Sequence, residues 1–429
     1  MNRRTKIDLA QNITIVLLGL SALFLLLLVI SYETGQNGRL STLSELVSSS
    51  PGTQDTSATS TDLTGLSAPF HLVVTNDYGR SGYLRTAGET AAEEATGLLR
   101  EALGSAGEPA VVTEEEFRGA LENPGIYFDY LTVLPASILS ERMGTEFQYS
   151  GDVRQLLISA SPGGTAVLYL RGGESVYRCS TAVSHGVLQE VLAMFTPNRA
   201  FFAFEGGEAY AHLDPYSVLW DGMITLPSLS AAMPALASDV DQLLTLLDFN
   251  PHTMSRYYQS DGTEVVMESP RSLRVQPDGV IVYSGDEEAA SALYHVSSFG
   301  EEPTEAEAVL AVLQLSETLL GSDTSSVGAL YLSHVEKTAQ GFTVAFNYQV
   351  GGVPIYFSDG LDALSAEITG STITSFTLRC RQYTILSESY SPLPARQAAA
   401  IALDYPGTFL TLGYVDQGGN TLYPEWLAK

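Results

Sequence analysis

The sequence has little basic charge and almost no cysteine. Acidic residues outnumber lysine and arginine 49 to 21, and the formal net charge is −28. A surface of that sign repels phosphate groups, so no nucleic-acid partner is expected, and electrostatic adhesion to anionic lipid is disfavoured for the same reason. Two cysteines in 429 residues are too few for a disulfide scaffold or a cysteine-ligated zinc protein.

The common catalytic and cofactor-binding motifs are also missing. The six histidines are scattered, and there is no HExxH, GxSxG, P-loop, GxGxxG or EF-hand pattern. We therefore predict no catalytic residue, no metal site and no cofactor. Asp261 and Glu264 are residues of the kind that form the carboxylate pair of a glycosidase. With 49 acidic residues in the chain, such a pair arises readily by chance and is weak evidence for catalysis. A Ser–Lys dyad would have to use Lys337, which lies beside a predicted hairpin turn.

The composition nevertheless indicates a folded chain. Hydrophobic residues make up 45% of the sequence, so the low charged fraction of 16% does not indicate disorder. The length corresponds to two or three domains. Cys179 and Cys380 both lie on predicted strands, and either a disulfide or two buried thiols is compatible with the sequence.

The longest apolar run lies near the N-terminus. Residues 13–30 are uncharged, and with Ser31 and Tyr32 the run is long enough to span a hydrocarbon core of about 30 Å. Arg3, Arg4 and Lys6 precede it, so the positive-inside rule predicts a cytoplasmic N-terminus. The run is longer than the apolar core of a signal peptide and no cleavage site follows, which favours a retained signal anchor.

The rest of the chain is expected to be an extracytoplasmic α+β ectodomain of several units, with antiparallel meanders and packed helices. No βαβ alternation indicates a parallel sheet. The second and third folded units share the order of a helix followed by a meander, which suggests a duplicated module. The predicted segments are a cytoplasmic tail at 1–12, a transmembrane anchor at 13–32, a Ser/Thr-rich flexible stalk at 33–68, and three α+β domains at 69–197, 198–298 and 299–429.

Local signals mark several element boundaries. Capping boxes, which start helices, are predicted at Thr86–Glu89, Thr113–Glu116 and Thr304–Glu307. Further helices are expected to start at Ser184 and, with Ser238 and Asp241 as capping residues, near position 240. Asp-Gly pairs at 261–262 and 278–279 predict tight hairpin turns, and residues 372–385 are predicted as one long strand.

Two stretches are more specific than a generic α+β pattern. They are DFNPHTMSRYYQSDGTEVVMESPRSLRVQPDGVIVY (248–283) and LPARQAAAIALDYPGTFLTLGYVDQGGNTLYPEW (393–426). Both resemble segments of the YycH/YycI family, whose members are single-pass, N-in membrane proteins of Firmicutes. Those proteins regulate the WalK-type sensor histidine kinase of the cell-wall two-component system. The resemblance is clearest over 200–429, and the length favours the longer, YycH-like member.

The resemblance implies a non-enzymatic regulator at the cell membrane. The expected partners are a WalK-type sensor histidine kinase and a paralogous anchored YycI/YycH-like protein. Such a regulator can act by stabilising one packing of the kinase's transmembrane helices, and about 1.4 kcal/mol of differential contact shifts that equilibrium tenfold. The span residues expected to contact the partner are Ile13, Leu17, Leu20, Phe24 and Leu27.

Two alternatives remain open from the sequence. The first is an extracytoplasmic scaffold of the cell-wall or division machinery, which would share the anchor and the α+β ectodomain. The second, and less favoured, is an extracytoplasmic hydrolase, which would need a cleft with converging carboxylates or a serine beside a base.

Overall fold

The computed structural model describes most of the folded part of the chain. The described residues are 68–84, 90–173, 175–234, 237, 239–287, 292–298, 300, 302–320 and 326–429. They form a mixed α+β fold with mostly antiparallel sheets, as the sequence predicts. The predicted tail, span and stalk lie outside the described residues, and within the described part no helix is long and apolar enough to cross a membrane.

A seven-stranded antiparallel sheet with the order β2-β1-β4-β5-β6-β7-β3 occupies the N-terminal part. Its strands are β1 His71–Asn76, β2 Gly79–Leu84, β3 Ala110–Val112, β4 Gly125–Pro135, β5 Asp152–Ser159, β6 Thr165–Gly172 and β7 Ser175–Ser184. The helices between them are α1 Thr90–Gly104, α2 Glu114–Glu122, α3 Ala136–Met143 and α4 His185–Leu192. One face of the sheet buries α1 and α4, and the other buries α2.

The next segment covers that second face and one edge of the sheet. It contains β8 Ala200–Phe202, β9 Val218–Trp220 and β10 Leu226–Ala232. The Asn198 side chain accepts from Gly82 N and donates to Gly82 O, so it occupies the free edge of β2 as a neighbouring strand would. The Trp220 indole also donates to Gly82 O. Residues on both sides of the predicted boundary at 197/198 therefore pack together.

The C-terminal half is dominated by an eleven-stranded sheet. The elements that follow β10 are α5 Val240–Leu246, β11 Arg256–Tyr258, β12 Glu264–Glu268, β13 Arg271–Val275, β14 Val280–Ser284, α6 Glu305–Leu320, β15 Ala329–Lys337, β16 Gly341–Val350, β17 Val353–Phe357, β18 Leu364–Thr369, β19 Thr372–Arg379, β20 Gln382–Tyr390, α7 Ala395–Ile401, β21 Leu410–Asp416, β22 Thr421–Leu422 and β23 Pro424–Ala428. The sheet order is β11-β12-β13-β14-β19-β18-β16-β17-β21-β23, with β15 paired to β16. Helices α5 and α6 pack on its inner face.

The two predicted C-terminal domains share this sheet. Strand β14 pairs with β19 through neighbours such as Val282 and Thr377, so the predicted boundary at 298/299 falls between strands that lie side by side. The N-terminal sheet meets the large sheet where the Thr132 hydroxyl of β4 donates to Leu332 O of β15. One apolar core cluster runs through both regions.

The structure confirms the predicted capping residues at three helix starts. The Thr113 hydroxyl accepts from Glu116 N, and the Ser184 hydroxyl accepts from Val187 N. Thr304 and Glu307 form a reciprocal capping box, in which Thr304 Oγ1 accepts from Glu307 N and Glu307 Oε2 accepts from Thr304 N. The predicted Thr86–Glu89 box falls within residues 85–89, which lie outside the described residues.

Three predictions about the elements need correction. Helix α5 is capped by Asp239, whose carboxylate accepts from Gln242 N, rather than by Asp241; the predicted cap Ser238 lies outside the described residues. The stretch 372–385 is not one strand, because it divides between β19 of the large sheet and β20 of a separate sheet with the order β20-β10-β22. The sheet is not wholly antiparallel either, since β17 and β21 run parallel.

The break at 380–381 has a physical cause. Cys380 is buried, and the next residue, Arg381, turns to the Asp416 carboxylate with a bidentate contact of 2.8 and 2.7 Å. Tyr383 Oη donates to the same carboxylate at 3.0 Å. Strong charge-assisted hydrogen bonds at the junction therefore redirect the chain from one sheet to the other.

Gly125 gives a stability test of the β4–β5 pairing. A Cβ at Gly125 would lie 2.5 Å from the Ile158 carbonyl oxygen, which is backbone and cannot rotate away. We expect Gly125→Ala to lower the free energy of unfolding by about 2 kcal/mol. The control is Gly119→Ala in α2, where a Cβ meets nothing within 4 Å and should stabilise by about 0.5–1 kcal/mol. Urea denaturation of the full chain measures both, and equal effects would contradict the close approach.

Candidate functional site

A row of polar side chains crosses one face of the N-terminal sheet. The strand registers place His71 of β1 beside Asp129 of β4, Asp129 beside Gln155 of β5, and Gln155 beside Arg171 of β6. We call these four residues the polar row. Their side chains are linked, since Gln155 Nε2 donates to Asp129 Oδ2 at 3.3 Å and Arg171 Nη1 donates to Gln155 Oε1 at 3.1 Å.

Asp129 is the centre of the row and has no solvent exposure. Besides Gln155, its carboxylate accepts from Tyr127 Oη at 3.1 Å, from Leu131 N at 2.8 Å and from Arg154 Nε at 3.3 Å. Leu131 adopts a φ of 59°, which is unusual for a residue with a branched side chain. All of these hydrogen bonds come from the protein and stabilise the charged carboxylate, so Asp129 has a structural role.

His71 lies beside Asp129 and is also buried. Its ring stacks on Phe409, and its Nε2 is 3.4 Å from the Thr411 hydroxyl. Burial lowers the pKa of His71 to about 4; the Asp129 charge opposes this shift and the Arg154 charge adds to it. The imidazole is therefore neutral at physiological pH.

The polar row contains the residue types of an active site without its accessibility. Histidine, aspartate and arginine are common in catalysis, but a general acid or base must reach a substrate. The row is covered by the C-terminal segment, where Arg154 lies 4.1 Å from the Phe409 ring centroid. At its far end, Arg171 pairs with Glu114, which accepts from Tyr216 Oη at 2.7 Å. Its chemistry is that of a structural ion-pair network.

The carboxylate pair that the sequence offered for a glycosidase, Asp261 and Glu264, makes structural contacts instead. The Glu264 side chain is buried and forms an ion pair with Arg256. The Asp261 carboxylate accepts from Thr263 N at 2.9 Å within the β11–β12 turn, and this backbone N–H holds the pKa of Asp261 below its usual value. No group of three or more His, Cys, Asp or Glu in the described residues is arranged to hold a metal ion.

The other sequence candidates have clear positions. The Lys337 ammonium lies 3.6 Å from Glu302 at a surface depression, where Ser137 donates to Glu305. The serine and the lysine there are thus each paired with a carboxylate. Cys179 and Cys380 are free and buried, and burial raises the pKa of the first thiol to about 11 and of the second to about 12. The span residues Ile13, Leu17, Leu20, Phe24 and Leu27 lie outside the described residues.

The surface feature that the sequence analysis missed is apolar. Exposed large apolar side chains concentrate near the C-terminus, at Ile385, Tyr390, Leu393, Ile401, Leu403, Tyr405 and Tyr423. The Tyr390 and Tyr423 rings contact each other at 5.4 Å, and Trp426 Nε1 donates to Leu393 O. We define Ile385, Tyr390, Leu393 and Tyr423 as the C-terminal apolar strip. Half-exposed tyrosine and aliphatic side chains, such as the contacting pair Tyr390 and Tyr423, are typical of protein-binding surfaces.

Removing the charge at the centre of the row tests its structural role. Asp129→Ala leaves Arg154, the Leu131 N–H and the Tyr127 hydroxyl buried without their common acceptor. We expect the free energy of unfolding to fall by about 3–5 kcal/mol. The control Glu336→Ala removes an exposed carboxylate and should change it by less than about 0.5 kcal/mol. Equal costs for the two variants in chemical denaturation would contradict the role.

The buried imidazole predicts a dependence of stability on pH. The pKa of His71 is about 4 when folded and near 6.5 when unfolded, so the unfolded chain binds the proton more tightly. The His71 contribution to stability is present above pH 6.5 and is lost as the pH falls towards 4, by about 3 kcal/mol. In urea titrations across that range, His71→Gln should have a shallower slope than the wild type. The exposed-site variant His185→Gln should keep the wild-type slope; a wild-type slope in His71→Gln would contradict the assignment.

No protein-family model, no curated protein and no solved structure matches this chain. Membership of a family is therefore not shown. What the molecule does has to be inferred from its own residues, among which the C-terminal apolar strip is a candidate for contact with a partner. The buried polar row explains how the segment that bears part of the strip is fixed to the rest of the fold.

Proposed function

We propose that this chain is a membrane-anchored, non-enzymatic regulator of the sensor histidine kinase of a cell-wall two-component system. In this proposal residues 13–32 anchor it in the cell membrane with the N-terminus in the cytoplasm, and the described residues are extracytoplasmic. The YycH/YycI resemblance of 248–283 and 393–426 and the apolar run at 13–30 are its sequence basis.

The observation that carries the proposal is the C-terminal apolar strip. Its four side chains are each about half exposed, and two of them, Ile385 and Tyr390, lie on β20, an edge strand that is poorly suited to pairing. Pro227 pairs with Ser389 and Leu229 with Ile385, so Leu386, Ser387 and Glu388 bulge out of β20. A bulge with a charged residue discourages strand addition, so a partner would bind here through side chains.

We assign the two contact regions to different partners. The span would contact the transmembrane helices of the WalK-type kinase through Ile13, Leu17, Leu20, Phe24 and Leu27. The C-terminal apolar strip would bind the ectodomain of the paralogous anchored protein. A second copy of this chain is disfavoured as the occupant, because two surfaces with a net charge of −28 each repel one another.

Co-purification from membranes of the host tests both assignments at once. Replacing residues 13–32 with an unrelated transmembrane helix should abolish recovery of the kinase while the paralogue is still recovered. The double variant Tyr390→Ser/Tyr423→Ser removes an aromatic pair from the strip and should reduce recovery of the paralogue at least about tenfold. Each variant should also change the output of a kinase-dependent reporter.

The matched control is Tyr78→Ser, which removes a tyrosine that is 88% exposed and distant in sequence from the strip. It should leave recovery of both partners unchanged. If every variant recovers wall-synthesis or division proteins and no kinase, the regulatory proposal is wrong and the scaffold alternative is supported. If the span replacement still recovers and regulates the kinase normally, coupling through the membrane is wrong.

A further inference from the structure

Strand β11 ends the large sheet, and its outer edge is open. Met267 N donates to Ser255 O at 2.9 Å, and Gln259 N donates to Thr263 O at 2.8 Å, so odd-numbered residues bond to β12. Because backbone groups alternate in direction along an antiparallel strand, the N–H and C=O groups of Arg256 and Tyr258 point away from β12. Within the described ranges no other strand pairs with them.

Two other sheet edges in the described part of the chain are blocked. The edge of β2 is occupied by Asn198 and Trp220, and β20 carries the bulge at Leu386–Glu388. Natural edge strands are usually covered, bulged or charged, since an open edge is a template for pairing. Strand β11 pairs with β12 in continuous register and has no bulge. An edge left open in this way is suited to accept another strand.

The two faces at this edge differ in character. On the outer face, Tyr257 is 49% exposed, lies opposite the buried Val265, and shares the face with Met267. On the inner face, Arg256 is paired with both Glu264 and Asp241, while the Tyr258 ring is 67% exposed. A strand added here would therefore meet apolar side chains on one face and an excess of carboxylates beside an aromatic ring on the other.

The charges favour one occupant over another. On the inner face one guanidinium meets two carboxylates, and the exposed Asp261 lies in the adjoining turn, so this face is negative, while Arg274 lies opposite Val265 on the outer face. A second copy of this chain would bring the same negative edge and a net charge of −28. A partner segment with basic side chains would instead be attracted, and a lysine or arginine opposite Tyr258 can lie over its ring.

We propose that the open edge of β11 binds an extended segment of a partner protein, by strand addition, in which apolar and basic residues alternate. The apolar residues cover Tyr257 and Met267, and the basic residues lie on the side of Tyr258 and Asp241. This site requires neither the kinase nor the C-terminal apolar strip, so it stands apart from the function proposed above.

A peptide of alternating valine and lysine is the probe, with its affinity for the full chain measured by fluorescence anisotropy. Tyr258→Pro removes an outward N–H while the β11–β12 hydrogen bonds stay intact, and Tyr258→Ala keeps the N–H but removes the ring. We expect Tyr258→Pro to bind about tenfold more weakly than Tyr258→Ala. Methylating alternate peptide nitrogens should cause a similar loss on the wild-type protein, which tests the backbone contact without altering the protein.

Two controls separate strand addition from simple charge attraction. A peptide with the same composition, but with valines and lysines in separate blocks, should bind at least about tenfold more weakly. Tyr390→Ser/Tyr423→Ser should leave peptide affinity unchanged, which keeps this site distinct from the C-terminal apolar strip. Equal affinity of the two peptides, or equal affinity of Tyr258→Pro and Tyr258→Ala, would overturn the proposal.

Discussion

The architecture depends on satisfying one buried carboxylate, that of Asp129. A fully buried charge is tolerated when its partners are in place, and here four donors from β4 and β5 converge on the carboxylate. The contact with Leu131 N requires the left-handed turn at that residue, and the irregular β4–β5 register after Asp129 follows from it. The charge therefore sets local geometry as well as stability.

The same junction ties the end of the chain to its beginning. Arg154 lies between Asp129 and the Phe409 ring, and Thr411 is next to His71, so the start of β21 completes the cover over the polar row. The end of β21 is held by a second buried carboxylate, Asp416, through Arg381 and Tyr383. One strand is thus held near its start by the Thr411–His71 contact and the Arg154–Phe409 cation–π contact, and at its end by charge-assisted hydrogen bonds. Loss of either carboxylate should loosen the region that carries the C-terminal apolar strip.

Much of the local structure could be predicted from the sequence, because local signals need only near neighbours. The Thr113 and Thr304 caps and the Asp-Gly turns depend on residues two or three positions away. The break between β19 and β20 could not be predicted, since it depends on Asp416, which is 35 positions from Arg381. The parallel pairing of β17 with β21 likewise depends on a distant strand.

The residues of the polar row are visible in the sequence, but their arrangement becomes clear only from the structure. Asp129 interrupts the apolar segment IYFDYL, and each of the other three strands also carries one member of the row. On a single strand such a residue is equally compatible with an exposed position. Only the register brings His71, Asp129 and Gln155 side by side, and within this set Gln155 donates to Asp129. The predicted span contacts at Ile13–Leu27 lie outside the described residues, so this part of the candidate site remains a prediction.

The edge strands β20 and β11 belong to the two proposed binding surfaces, and they differ in whether another strand can pair with them. Asn198 closes β2 with a side-chain amide, and the bulge before Ser389 makes β20 unsuited to pairing although apolar side chains surround it. Both devices hinder pairing with stray strands at β2 and β20, and β11 carries neither of them. The backbone groups of Arg256 and Tyr258 that point away from β12 lie beside exposed tyrosines, and the negative charge of the chain favours basic strands at this edge. Side-chain binding at the C-terminal apolar strip and backbone binding at β11 would then be two independent modes of recognition on one acidic surface.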